Sequence, residues 1–519
     1  MRRGTRDDNR LQRPPSEATI NTDAGVVRGT RGPRVSRWRS IPYAEPPVGQ
    51  LRFVGPQPVK PWSGVRDATV FGNAAMQFPG GARTGLGVQA VHEDCLTINV
   101  TAPTAPATAP RPVIVFIHGG GNLFGTSALA LYSGGRLAVT GDLVFVSFNY
   151  RLGAFGYLDF TEFATARHPF ESNLGLRDQV AALEWVRRNI AAFGGDPANV
   201  TIMGESAGAN AVRTLLATPA AGGLFHRAIA ESVMNGALSA DDAARFARRC
   251  VTALGADRDS APTLLAEADA AVIGRAVGRE INRAMRERPG FMPVTPVVDG
   301  AWLPEHPADA VAAGRGHAVP LIIGSNRDEG TLFAKHLDQL PTTPDRLQRL
   351  FDQAGAGHTE RLRAAYPDWD TPAGAIRLGG DYTFWRPSVH FAGQHTRHAP
   401  TYVYRYDYAP RAMRLTGYGA AHGSELFAVF GFGETPAGRL LTAPGGRRDL
   451  RRVTRLIQGH WTHFARHGTP GAGWPAYTPG RRTLIIDTAV RVNQDPEADR
   501  RLALDALPRP TLGPTEPPE

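Results

Sequence analysis

Val200-Thr-Ile-Met203-Gly204-Glu205-Ser206-Ala207-Gly208-Ala209-Asn-Ala-Val-Arg-Thr-Leu-Leu216 decides the reading of this chain. An apolar run enters a pentapeptide of the form G-x-S-x-G, and a helix-prone stretch leaves it. Strand, sharp turn and helix are the setting in which that pentapeptide works as a nucleophile elbow. The turn holds the serine in a strained backbone conformation and lifts its hydroxyl at the end of a sheet. Side chains at Gly204 or Gly208 would crowd neighbouring backbone, so both flanks are glycine. Ser206 is the candidate nucleophile.

Outward from the elbow, strand and helix patterns alternate. Val113–Ile117 and Leu143–Phe148 are continuous apolar runs of strand length, as expected of strands buried on both faces. Asp178–Phe193 has Leu183, Val186, Ile190 and Phe193 at helical spacing, and Gly194-Gly195 ends it. Further strands are expected at Ala228–Glu231, Leu321–Ile323 and Thr401–Tyr406. The alternation predicts an α/β fold with a mostly parallel, doubly wound central sheet flanked by helices. Ligands bind such sheets at the carboxyl ends of strands, where Ser206 falls. Residues 1–16 are charged and aperiodic, and 507–519 are Pro-rich, so both are expected to be loose. Residues 17–506 read as one catalytic domain, with Thr101–Pro112 as a surface loop.

Composition narrows the class. The 519 residues are 42% hydrophobic and 20% charged, which is globular and excludes a fibrous or disordered chain. No apolar run is long enough to span a membrane. The N-terminus, Met1-Arg-Arg-Gly-Thr-Arg-Asp-Asp8, never reaches the apolar core of a secretory signal. The expected location is therefore the cytoplasm, and the two cysteines, Cys95 and Cys250, allow one disulfide but do not by themselves imply it. The formal charge of +10 is carried by arginine, a bias that suggests GC-rich coding. Arg447, Arg451 and Arg455 would share one helix face. No nucleic-acid motif accompanies them, so a solvated face is expected, with no nucleic-acid or membrane partner.

A serine hydroxyl needs a base, a group to orient the base, and donors for the oxyanion. His118-Gly119-Gly120-Gly121 follows the strand Val113–Ile117 and exposes backbone N–H groups, the H-G-G-G pattern of lipases and esterases. Gly120, Gly121 and the N–H of Ala207 are the expected oxyanion donors, with His118 holding the loop. An acidic turn at Asp328-Glu329 offers two candidate acids, and several downstream histidines are candidate bases.

The chain resembles the type-B carboxylesterase family of α/β-hydrolases, which includes bacterial para-nitrobenzyl esterases and the cholinesterases. The resemblance rests on Phe193–Ala209 around the elbow and on Glu93-Asp-Cys-Leu-Thr-Ile-Asn-Val100. Ile41–Gly49, Asn149–Gly153, Gly175–Gln179 and Trp461–Ala465 add to it, and it covers roughly residues 20–490. It implies an α/β-hydrolase fold with loop and helical insertions forming the pocket. It implies Glu329 of Gly324-Ser-Asn-Arg-Asp-Glu-Gly330 as the acid and His422 of His422-Gly-Ser-Glu425 as the base. The order Ser206, Glu329, His422 agrees with that fold. Ser232 matches a family serine that hydrogen-bonds the acid, and Glu205 is expected to join it in supporting the triad. No metal or cofactor is implied. His460, His463 and His467 could share a helix face, but no carboxylate or cysteine completes a metal set.

Departures from the family pattern bear on the substrate. No cysteine stands near Phe71–Gln77 to pair with Cys95, so the family disulfide is missing. Met76–Asp94 has no tryptophan to hold a quaternary ammonium, which argues against choline esters. Asn122 replaces an aromatic residue after the glycine run and is expected to face the pocket. Phe124, Phe291, Phe384 and Trp385 are expected on the pocket wall. Val233 replaces a glycine usual after Ser232. The leading expectation is a serine carboxylesterase for small, fairly apolar esters, as a monomer or small homo-oligomer. The alternatives are an acyltransferase or amidase using the same triad, or a non-catalytic adhesion module.

Overall fold

The computed structural model describes residues 16–77, 82–83, 87–288, 290–336, 340–354, 356–505, 507 and 509. Thirteen strands form one sheet. Three of them make an antiparallel edge: β1 (Ser16–Asn21), β2 (Val26–Arg31) and β3 (Val35–Pro42), with β4 (Val65–Asp67) parallel to β2. The rest are β5 (Thr97–Pro103), β6 (Arg111–Ile117), β7 (Val144–Phe148), β8 (Gly195–Glu205), β9 (Arg227–Glu231), β10 (Leu321–Asn326), β11 (Thr401–Tyr406), β12 (Arg482–Ile486) and β13 (Arg491–Gln494). Their order is β1-β2-β3-β5-β7-β6-β8-β9-β10-β11-β12-β13. From β7 to β12 every neighbouring pair is parallel, while β5 and β13 close that block as antiparallel neighbours.

The parallel strands are buried on both faces, which is why they read as unbroken apolar runs. All seven residues of β6 are buried. Its alternate side chains feed two core layers: Val113, Val115 and Ile117 on one face, Ile114 and Phe116 on the other. The first layer is covered by helix α1 (Leu174–Asn189), through Leu176, Val180, Leu183 and Val186. The helix starts four residues before the expected Asp178. Its last expected turn, Ile190–Phe193, is a 3-10 turn stopped by Gly194 at φ 82°. The second layer packs on a long helix, Arg447–His467, through Leu450, Val453, Ile457 and Trp461. Arg448, Arg451, Arg452 and Arg455 are exposed on that helix, and Arg451 pairs with Glu434 at 2.6 Å.

Topology positions the site. β6 lies between β7 and β8, so the winding reverses there and leaves a crevice beyond the carboxyl ends of β6 and β8. Ile117, the last residue of β6, is registered against Gly204. The loop after β6 and the elbow after β8 therefore emerge side by side. Helix α2 (Ala207–Leu215) runs back from the elbow.

Residues 1–15 lie outside the described residues, and Ser16 already opens β1. Of the Pro-rich tail only Leu507 and Arg509 are described. Leu507 is buried with Leu347, Phe351 and Leu504, and Arg509 pairs with Asp309. Apolar burial and an ion pair hold those two positions. Cys95 and Cys250 are both buried and unbridged. Among the described residues, no helix is long and apolar enough to cross a membrane.

Candidate active site

Ser206 sits between β8 and α2 at φ 60°, ψ −121°. A non-glycine residue at positive φ carries a strain of order 1–3 kcal/mol, held only where surroundings over-determine it. Here they do. The Ser206 N–H donates to Glu231 O at 2.8 Å, and Ser206 O accepts from Asn210 N at 2.9 Å. A Cβ on Gly208 would lie 2.0 Å from Ile117 O, and one on Gly204 would lie 2.3 Å from Gly208 O. Both glycines are required by close backbone approach.

The loop after β6 folds over the same point. Gly120 and Gly121 take φ 117° and 62°. Leu123 N and Phe124 N both donate to Gly120 O, which tightens the turn. No hydrogen bond is made by the N–H of Gly120, Gly121 or Ala207 among the described residues. His118 lies beneath, stacked on Tyr150 at 4.6 Å, while the Tyr150 hydroxyl donates to His118 O at 2.7 Å. Burial drives the His118 pKa down to about 4, so it is a neutral loop support.

Glu329 and His422 reach this crevice from β10 and from the loop beyond β11. Glu329 Oε2 is 2.6 Å from His422 Nδ1. Its other oxygen accepts from Ser232 Oγ at 2.6 Å and from Asn326 N at 2.7 Å. Asp328, the other candidate acid, turns away to Arg327 and to Ala420 N. His422 packs against Phe384 and Phe333, with ring centroids 4.2 and 5.1 Å away.

The imidazole has a second acidic neighbour. His422 Nε2 lies 3.1 Å from Glu205 Oε1. Ser206 Oγ is directed to Met234 Sδ at 3.9 Å and makes no hydrogen bond to His422 in this arrangement. Ser206, Glu205 and His422 nevertheless line one cavity, and catalytic hydrogen bonds are often loose before substrate binds. Burial works against charging His422, but Glu205 and Glu329 outweigh it and raise its pKa above the usual value. Burial raises Glu205 to about 7, opposed by His422 and reinforced by Glu329. Two more carboxyls lie behind. Glu231 accepts from Trp461 Nε1 at 2.9 Å, and burial raises it to about 8. Glu425 accepts from Asn326 Nδ2, and burial with its acidic neighbours pushes it far up. The raised pKa values ease this crowding, with Glu231 keeping its proton at neutral pH.

The cavity measures about 960 Å³, the upper end of small-molecule sites. Its wall is mainly apolar and includes Leu129, Met234, Met292, Phe333, Phe384 and Phe427. Phe124 also lines it. Asn122, Phe291 and Trp385 do not. Asn122 is buried and donates to Val294 O at 2.9 Å, because its positive φ aims it back into the protein. Phe291 lines a separate cleft and Trp385 another cavity behind Glu329. Phe333 and Met234 went unrecognised in the sequence, since apolar residues carry no local mark of a pocket. Glu231 and Glu425 had one: they stand beside Ser232 and three residues after His422. His460 and His463 contact the carbonyls of Pro470 and Thr469. No metal-binding cluster occurs among the described residues.

Comparison with known proteins agrees over nearly the whole chain. The model of the carboxylesterase family matches residues 16–501. The chain is 37% identical to the para-nitrobenzyl esterase of Bacillus subtilis, over 93% of this chain and 98% of that protein. It is 32% identical to the liver carboxylesterase of Sus scrofa, covering 89% and 88% of the two chains. A solved para-nitrobenzyl esterase superposes with a TM-score of 0.85 at 36% identity, covering 94% of this chain and 99% of that one. A carboxylesterase of Geobacillus stearothermophilus gives a TM-score of 0.81 at 33% identity, with 94% and 99% coverage.

Proposed function

The chain belongs to the carboxylesterase family and is a serine carboxylesterase, and from that premise we propose how its own residues work and what they accept. Ser206 is the nucleophile, His422 the base and Glu329 the group that orients it. The observation that carries this reading is the 2.6 Å contact between Glu329 and His422 in the cavity that Ser206 lines. For reaction, Ser206 Oγ leaves Met234 and meets Nε2, displacing Glu205. Nε2 takes the hydroxyl proton as Oγ attacks the ester carbonyl. The N–H groups of Gly120, Gly121 and Ala207 receive the oxyanion. Nε2 then protonates the leaving alcohol, and water repeats the sequence on the acyl-enzyme, regenerating Ser206 and releasing the acid.

The mainly apolar wall supports apolar acyl and alcohol groups. Its volume leaves room for bulky esters as well as small ones. One sheet threads β1 through β13, which supports a single catalytic unit over 17–506. Two unbridged cysteines support a cytoplasmic location. The test is Ser206→Ala with para-nitrophenyl butyrate, together with fluorophosphonate labelling of wild type. Loss of turnover and labelling at Ser206 are expected. Turnover at the wild-type rate would remove the assignment.

A further inference from the structure

A second cleft, about 300 Å³, opens at the far end of α2 from the nucleophile. Arg213, in the last turn of α2, lines it. The residue is 3% exposed. It donates to Gly236 O at 2.5 Å, and its Nε has no partner. No carboxylate lies within ion-pair distance of it among the described residues. Burial and the nearby Arg509 lower its pKa to about 9, which still leaves it charged at neutral pH.

The rest of the wall repeats the imbalance. Arg386 donates to Leu507 O, lies 5.5 Å from the Tyr382 ring, and has a buried Nη1 without partner. Asp505 also lines the cleft and attracts Arg386 electrostatically, but neither Asp505 nor Asp309 pairs with Arg213. Asp505 faces His390 at 3.7 Å and Arg501 at 3.4 Å, and Asp309 is paired with Arg509. Phe291, Pro387 and Phe391 supply apolar surface. A buried guanidinium without counter-ion is costly, and its planar fork matches two carboxylate oxygens.

We propose that this cleft is a binding site for a small carboxylate with a compact apolar body, held through Arg213 and Arg386 and separate from the ester pocket. The anion supplies the counter-charge that the protein lacks there, and the aromatic wall covers its body.

The experiment uses the full chain blocked at Ser206 with a fluorophosphonate whose bulky alkyl groups fill the ester pocket, so that this pocket does not report. Benzoate is titrated by calorimetry at constant ionic strength, with phosphate in a parallel arm. Saturable benzoate binding is expected, weakened at least tenfold in both Arg213→Met and Arg386→Met. Without ligand, Arg213→Met is expected to melt no lower than wild type, because it removes an uncompensated charge. Absence of benzoate binding would overturn the proposal, as would binding unchanged in both variants. Phosphate binding as tight as benzoate would overturn the choice of a carboxylate. None of these results depends on esterase activity.

Discussion

The two ends of α2 solve opposite charge problems. At its start, Glu205 and Glu329 flank one imidazole, with Glu231 and Glu425 behind them. At its finish, Arg213 is buried with no acid paired to it among the described residues. Burial eases that crowding by raising the pKa values of Glu205, Glu231 and Glu425, Glu231 past neutrality to about 8. The guanidinium has no such exit, because even a large downward shift leaves it charged at pH 7. Buried acids can therefore be tolerated as neutral groups, whereas a buried arginine calls for a counter-ion.

The sharpest way to break this comparison is at the catalytic end. Ser206→Ala is expected to lower kcat by about 10,000-fold or more, read with para-nitrophenyl butyrate. Glu329→Gln should cost about 1,000- to 10,000-fold in kcat, because the amide favours the wrong imidazole tautomer. An equal loss in Asp328→Asn would mean that the acid has been misassigned.

Stability tests the neutral carboxyls. Trp461→Phe removes the donor to Glu231 and should cost about 1–3 kcal/mol in denaturant unfolding. Glu231→Gln should cost less than about 1 kcal/mol at pH 7, since it replaces a group already protonated. The sign with pH follows. A carboxyl raised to about 8 binds its proton in the folded chain while the unfolded chain has released it above pH 4.5. Its contribution to stability therefore falls as pH rises from 4.5 to 8. The Gln variant should show a flatter profile across that window, and an unchanged slope would place the titration elsewhere.

The smallest expected effect is kinetic. His422 must be neutral to act as base, and its raised pKa sets the acid limb of kcat/KM above pH 6.5. Glu205→Gln removes one of the two charges that raise it, so the limb should move to lower pH. A limb that stays in place would show that Glu205 does not face the working imidazole.

Much of this was legible in the sequence because it is local. The elbow needs two glycines around a serine, and buried parallel strands need unbroken apolar runs, so both leave marks in short windows. The triad order and the glycine loop were readable through the family resemblance. Less legible were features that depend on convergence. Asn122 was expected at the pocket from its place in the chain, yet a positive φ turns it to Val294. Phe291 and Trp385 went to other cavities because aromatic identity says nothing about which void a ring borders. Arg213 carries no mark in its local sequence that sets it apart from other arginines. Only the packing of Gly236, Arg386 and Leu507 around it reveals the missing acid.

Met292 borders both the ester pocket and the basic cleft. One flexible thioether is thus a shared partition between a chamber that generates acids and a chamber that attracts them. Trimming it to alanine would open a window between the two rooms, and a newly released acid would then have a positively charged corridor to follow.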